Sequence, residues 1–344
     1  MTNQSLDASQ PDDRVQLRDL FTGSFLSRAI YVAAQLDIAT LVADGPETCT
    51  ELARVTHSHG ATLYRLLRAL ASYGLFAEDD QGRFANTGIS ALLRSDIAGS
   101  MRPLILMFGD ELSVTLWQSL LHSVTTGEPG FEHVYGMQNF DYLARHPDKA
   151  KIFDDAMVSV SSMTNEAITQ VYDFFSFDTI VDIAGGYGST LCAILKTNPS
   201  LRGVLFDMPH VAAGATKYIA EQGLTDRCSL VTGDFFESVP PGADAYFMKH
   251  IIHDWDDARC VKLLRNCHAA APKGATLFVC ERVVPIGNTP SYSKLGDLVM
   301  LMMTSGGRER TETQYRTLLK EGGFKINRFI PTDSEHTLIE AIKL

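Results

Sequence analysis

The run VDIAGGYGST, from Val181 to Thr190, reads as a strand, a tight glycine turn and the start of a helix. Apolar Ile180, Val181 and Ile183 suit a buried strand, and Gly185, Gly186 and Gly188 permit a backbone path that side chains would block. Such a turn brings main-chain N–H groups and a helix N-terminus close to a ligand. Taken alone, it is equally an ordinary strand-to-helix connection. A dinucleotide-binding Gly-x-Gly-x-x-Gly would place a third glycine where this chain has Leu191.

The segments downstream decide the matter. GVLFDMPHV ends an apolar strand on Asp207, SLVTGDFF ends another on Asp234 before Phe235, and ADAYFMKHIIHDWDD ends a third near Lys249 and His253. ATLFVCERV ends a fourth on Glu281. Strands alternating with helical stretches predict a doubly wound parallel α/β sheet, whose ligands sit beyond the carboxyl ends of the strands. Each carboxylate singly is a solvated loop residue; five polar or glycine endings in register make a binding site. The C-terminal FKINRFIPT and HTLIEAIKL read as two strands joined by Asp333-Ser334-Glu335, an antiparallel closure foreign to the plain dinucleotide-binding pattern.

Ahead of the sheet, residues 14–44 show helical spacing that Asp44-Gly45-Pro46 stops. A short helix begins at Thr50. A stronger one follows, with Leu63, Leu66, Leu67 and Leu70 on one face and Gly74 at its end. FAEDDQGRFAN then suggests a hairpin turning at Asp80-Gln81-Gly82. Three helices and a hairpin make a winged-helix module. Its wing carries Glu78, Asp79 and Asp80, which repel phosphate, so DNA recognition by Arg65 and Arg68 is disfavoured and packing against a partner subunit is expected. Residues 100–170 read as mostly helical, with loops at Gly127–Gly130 and His146-Pro147.

Composition closes off other classes. A net charge of -11 argues against a nucleic-acid surface, and no apolar run reaches the roughly 18 residues that span a bilayer. MTNQSLDASQPDD is polar and reads as a disordered tail. Six cysteines without Cys-x-x-Cys pairing point to a cytoplasmic protein with reduced thiols and no structural zinc.

Together VDIAGGYG, FDMPHV, GDFF, MKHIIHDWDD, ERV and GGRERT closely resemble S-adenosylmethionine-dependent small-molecule O-methyltransferases. These are the plant caffeic-acid type and its bacterial secondary-metabolite relatives; His-Asp-Trp followed by an acid and CVKLLRNC is especially specific. The resemblance runs from about residue 20 to the C-terminus. It implies a Rossmann-like methyltransferase sheet, mostly parallel with an antiparallel C-terminal strand. An N-terminal helical winged-helix dimerisation domain (14–100) would precede the catalytic domain (101–344), which comprises a helical bridge over 101–170 and a sheet core over 171–344. It further implies that Gly185, Gly186 and Gly188 line the methionine end of the cofactor and Asp207 the ribose. Asp234, Phe235 and Trp255 would flank the adenine, with Lys249 nearby. His253 would be the base with Glu281 and Glu309 beside it, and Met157 and Met300 would clamp a flat aromatic substrate. Met163, Met302 and Met303 are left to the core. One departure is Ala184, where the family commonly has glycine.

The chemistry is consistent with that reading. A phenol of pKa near 10 is a poor nucleophile while protonated, and a histidine of ordinary pKa about 6.5 can take its proton. Glu281 or Glu309 would fix the ring's tautomer, and no metal is required. In the bland alternative His253 merely caps the next helix with Asp254 or Asp256. Three rivals remain at this level: a nicotinamide-dependent oxidoreductase, a non-catalytic regulator that senses a metabolite, and a relative that runs decarboxylation or hydroxylation on the same fold. A homodimer, a small aromatic substrate, and neither nucleic acid nor membrane are the expected partners.

Overall fold

The computed structural model describes residues 12–344, apart from the side chains of Ser162 and Met163. The expected disordered run lies outside the described residues up to position 11. Its last two residues do not fit that expectation: Asp12 caps helix α1 (Asp13–Gln35) by accepting from Arg14 N–H at 3.0 Å. The chain divides into two compact units, residues up to Val114 with Lys151–Ser159, and Thr115–Ala150 with Val160–Leu344.

In the first unit, the helix expected to continue to residue 44 stops earlier. Asp37 adopts a left-handed φ of 55°, which aspartate tolerates better than most residues, and its Oδ1 accepts from Thr40 at 2.8 Å to start α2 (Ile38–Leu41). A short strand β1 (Glu47–Thr48) leads into α3 (Cys49–Thr56), capped by Thr48. Next comes α4 (Gly60–Ser72), which buries Leu63, Leu67 and Leu70. The hairpin forms as expected from β2 (Phe76–Glu78) and β3 (Arg83–Asn86), with Glu78 opposite Phe84. The sequence hid its third strand: β1 pairs with the other edge of β3. Helices α5 (Gly88–Ala91) and α6 (Arg102–Gly109) follow, α6 meeting α1 where Gly109 leaves room for the Tyr31 ring. The outer face of α1 leaves Leu17, Leu20, Phe21 and Phe25 65–74% exposed.

The middle of the chain is helical as expected: α7 (Glu111–Gln118), α8 (Leu120–Thr126), α9 (Gly130–Tyr135), α10 (Asn139–Arg145) and α11 (Pro147–Val171). In the second unit β4 (Thr179–Ile183), α12 (Ser189–Thr197), β5 (Arg202–Asp207), α13 (Ala212–Glu221) and β6 (Cys228–Thr232) build one half of the sheet. Strand β6 stops two residues before Asp234, which sits on the loop beyond it. The other half contains β7 (Ala245–Lys249), α14 (Asp257–Ala270), β8 (Thr276–Glu281), β9 (Val283–Val284), α15 (Tyr292–Met303), β10 (Arg310–Thr311), α16 (Glu312–Glu321), β11 (Phe324–Pro331) and β12 (Thr337–Lys343).

The seven strands of the main sheet run in the order β11-β12-β8-β7-β4-β5-β6. All are parallel except β12, which is antiparallel to both β8 and β11. Alternation along each strand feeds two cores: Tyr246, Met248, Leu277 and Val279 on one face, Phe247, Phe278, Cys280 and Ile180 on the other. Strand order reverses at β4, between β5 and β7. In open α/β sheets ligands bind beyond the carboxyl ends of the strands at such a switch point, where Asp207 ends β5 and Lys249 ends β7.

Candidate active site

The turn after β4 has left-handed φ at Ala184 (54°), Gly186 (60°) and Gly188 (83°). Glycine adopts this freely at two of the three positions. Alanine at the other carries a strain of about 1 kcal/mol. Gly185 is needed for space, since a Cβ there would overlap the Asp182 carboxylate and Leu205. The absent third glycine also has a physical reason. Leu191 is fully buried, and the close approach is provided from the sheet side by Gly203 of β5, where a Cβ would lie 3.0 Å from Leu191.

Asp207, at the end of β5, accepts from Gly186 N–H at 2.7 Å and from Met208 N–H at 2.6 Å, so the carboxylate is tied to the turn itself. Burial raises its pKa, against the pull of those two N–H donors. Asp234 accepts from Phe236 N–H at 2.8 Å. This loop brings Phe235 and Phe236 edge-on to Trp255, at 6.2 and 4.9 Å between centroids, with the Arg259 guanidinium over the indole at 5.4 Å. Lys249 is half-buried and donates to Ser161 Oγ at 2.8 Å, its pKa lowered by desolvation.

Sequence reasoning missed Asp182. It is 2% exposed, its Oδ2 has no hydrogen-bond partner among the described residues, and burial pushes its pKa up to about 7 despite the nearby Lys249 ammonium. The signal was available, as a carboxylate in an otherwise apolar strand directly before the glycine turn. With Asp182, Asp207 and Asp234 along it, this rim suits a cationic ligand and repels a pyrophosphate.

His253 lies on a single 3₁₀ turn, Ile252–Asp254, just past β7. Its Nδ1–H donates to Glu309 Oε1 at 3.2 Å, and Glu281 Oε2 stands 3.4 Å from the same nitrogen. Glu281 is fixed in turn by its other oxygen, which accepts from the Ile251 and Ile252 N–H groups at 3.0 and 2.8 Å. Glu309, although it lies in a glycine-rich loop, is 3% exposed. The short parallel pairing of β9 with β10 carries both glutamates to one ring, with Arg310 opposite Val283.

Burial alone would lower the His253 pKa, but Glu281, Asp254 and Glu309 outweigh it and raise it to about 9. Burial likewise lifts Glu281, and lifts Asp254 to about 6. The ligand-capable atoms of His253, Glu281 and Glu309 lie within 4.8 Å of one another, a spacing a metal ion could also bridge. Glu281 Oε2 and Glu309 Oε2 have no hydrogen-bond partner among the described residues.

Of the capping alternative only Asp256 holds, and His253 and Asp254 take no part in it. Asp256 caps α14 by accepting from Arg259 N–H at 2.9 Å, while Asp254 Oδ1 sits 3.6 Å from His253 Nε2. Other neighbours of His253 were not read from sequence: His250, His336 and Arg282, whose Nη1 lies 3.4 Å from Glu309. Of the two substrate-clamp candidates, Met157 is half-buried on α11 in the first unit and Met300 half-buried on α15 in the second. Met302 is fully buried, as a core residue should be.

The family model for the O-methyltransferase domain matches residues 117–325, and that for the O-methyltransferase dimerisation domain matches residues 18–96. The chain is 43% identical over 325 residues to the phenazine O-methyltransferase PhzM of Lysobacter antibioticus, covering 94% of this chain and 95% of that one. It is 34% identical over 343 residues to the phenazine-1-carboxylate N-methyltransferase of Pseudomonas aeruginosa, covering 100% of both. Among solved structures it is similar to CalO1, a methyltransferase of calicheamicin biosynthesis in its SAH-bound form. The TM-score is 0.88 at 31% identity, over 99% of this chain and 100% of that one.

Proposed function

The chain belongs to the S-adenosylmethionine-dependent O-methyltransferase family, and on that footing we propose that it methylates a hydroxyl of a small aromatic secondary metabolite, phenolic or quinone-like, with His253 as the general base. The observation that carries this reading is the buried imidazole whose Nδ1 is fastened by Glu309 and Glu281. That leaves Nε2, which has Asp254 Oδ1 3.6 Å away, as the edge that would take a substrate proton.

The rim fits the cofactor's chemistry. A cationic donor matches the unpartnered Asp182 oxygen, and the turn is open at Gly186, where a Cβ would have nothing within 4 Å. Gly185, Gly186 and Gly188 are assigned to its methionine end, Asp207 to its ribose, and Asp234, Phe235 and Trp255 to its adenine, with Lys249 behind them. When bound, S-adenosylmethionine supplies a methyl group on a sulfonium sulfur. The protein's own task is then to orient an oxygen and remove its proton.

The raised pKa of His253, about 9, bears on that task. Transfer from a phenol of pKa near 10 to such a base is uphill by only about 1.4 kcal/mol, against about 5 kcal/mol for a base of pKa 6.5. The accompanying cost is that most of the ring is protonated at neutral pH. Turnover should therefore favour alkaline conditions.

A nitrogen acceptor is the second reading, favoured by the likeness to an N-methyltransferase. An unprotonated amine or ring nitrogen carries its own lone pair and needs no base. A screen of phenols, quinones and aminoaromatics with methyl-labelled cofactor, run on the wild type and His253→Ala, separates the two. Hydroxyl acceptors that fail with His253→Ala support the proposal, whereas nitrogen acceptors turned over equally by both proteins overturn it. The exposed apolar face of α1, within the matched dimerisation domain, supports a homodimer formed through this region. Six free cysteines accord with a cytoplasmic setting.

A further inference from the structure

Arg310 is fully buried, and its guanidinium spans the turn that carries His253. Nη1 donates to the Ile252 carbonyl at 2.8 Å and Nη2 to the Trp255 carbonyl at 2.8 Å, the residues just before and just after His253-Asp254. Nε and Nη2 also reach Asp257 Oδ1, at 3.0 and 2.8 Å, on the first turn of α14. From the same loop, Arg308 N–H donates to the His253 carbonyl at 2.8 Å. Gly307 is needed there because a Cβ would meet the backbone of His253 and Asp254. Glu309, the residue between the two arginines, contacts the imidazole.

This is an expensive arrangement if stability were its only result. The guanidinium is removed from water, and its one carboxylate partner, Asp257, is 51% exposed. Apolar residues of like volume commonly serve stability as well as a buried ion pair does. What an apolar side chain cannot do is hold two carbonyls of a one-turn helix at fixed separation, the task for which a planar five-donor fork is suited.

We propose that Arg310 is a positioning residue for the reaction: by gripping the carbonyls on both sides of His253-Asp254 it keeps the imidazole against Glu309 and Glu281. The proposal rests on the reading of His253 as the base, and acts only through it. A displacement of the ring by about 1 Å is enough to lower turnover on the order of a hundredfold.

The test uses the full-length protein with Arg310→Lys, which keeps the charge and loses the fork, and compares it with the wild type and His253→Gln. Thermal melting and calorimetric titration with S-adenosylhomocysteine report folding and cofactor binding. Imidazole NMR, assigned by the signal missing in His253→Gln, reports the ring's own titration apart from catalysis. The expected result is a folded Arg310→Lys protein that binds S-adenosylhomocysteine within about threefold of wild type, with kcat down tenfold or more. Its His253 titration should fall from about 9 toward the ordinary value of 6.5 as the ring leaves its carboxylates. An unmoved imidazole titration overturns the proposal, whatever happens to kcat. If the ring's titration shifts while His253→Gln itself turns over at the wild-type rate, Arg310 still holds the ring but the base assignment falls, and with it the role in the reaction. Should Arg310→Lys fail to fold, Asp257→Asn removes the guanidinium's carboxylate at a half-exposed site and takes its place in each measurement. There too a lowered His253 titration supports the positioning role, and an unmoved one overturns it.

Discussion

The rings of His250 and His253 lie nearly parallel, 11° apart with their centroids separated by 5.4 Å. His250 turns the chain with a left-handed φ of 58° and places its Nε2 2.5 Å from His336 Nε2. Burial, then the nearby cations led by Lys249 for His250 and by Arg282 for His336, keeps both neutral, His250 far below its usual value and His336 at about 3. One of the pair therefore donates and the other accepts. Replacing His250 with Phe keeps a flat ring beside His253 but leaves a buried nitrogen of His336 without its partner. Urea unfolding should show a loss of about 1–3 kcal/mol.

The log of kcat in the wild type, at saturating cofactor, should climb with unit slope through neutrality and bend to a plateau above about pH 9, as His253 loses its proton. Glu309→Gln removes one of the carboxylates that raise this pKa, so the plateau should begin at lower pH. A pH–rate series on both proteins checks this; coincident profiles would remove Glu309 from the tuning of the base.

Stability carries the same signature. The folded-state pKa of His253 is raised, so its contribution is fully present below about 6.5 and disappears as pH rises through 9. The melting temperature should fall over that window in the wild type and fall less steeply in His253→Gln. Melting curves at pH 6.5, 7.5 and 9 suffice.

Two neighbouring small residues should respond in opposite senses. Ala184→Gly relieves a left-handed alanine at φ 54° and should stabilise by about 0.5 kcal/mol once the added freedom of the unfolded chain is subtracted. Gly185→Ala drives a methyl into the Asp182 carboxylate and Leu205, and should both lower the melting temperature and abolish detectable S-adenosylhomocysteine binding. Differential scanning calorimetry and titration calorimetry read both variants.

Asp207→Asn keeps shape and loses charge. Because the carboxylate already holds the Gly186 N–H at 2.7 Å, the substitution should loosen the turn and weaken S-adenosylhomocysteine binding about 10–100-fold. An affinity equal to wild type would take the ribose contact away from this residue.

Much of the fold was legible because its signals are local. The ends of β5 and β8 and the C-terminal hairpin follow from apolar runs stopped by polar or turn residues. The hairpin of the winged-helix module follows from Asp80-Gln81-Gly82. What escaped was set by tertiary contact. Nothing local marks β1 as a partner of β3, and the break after Gln35 depends on one aspartate tolerating a left-handed backbone. In the site, His253 and Glu281 could be singled out because they follow strand ends. The burial of Glu309 could not, since a glycine-rich loop gives no period to read and its side chain is enclosed only when β9 and β10 pair. Arg310 escaped for a related reason, since a charge that folding buries looks in sequence like any other charge; Asp182 did carry a mark, its place in an otherwise apolar strand.

The pairing of β9 with β10 joins Val283 to Arg310 and Val284 to Thr311, so the intervening segment, α15 included, leaves and returns at a single clasp. Its two anchors stand beside the two glutamates that tend the imidazole. The segment between is thus held at both ends next to the imidazole, and a change in its length would be felt first at Glu309, its last residue before the clasp closes.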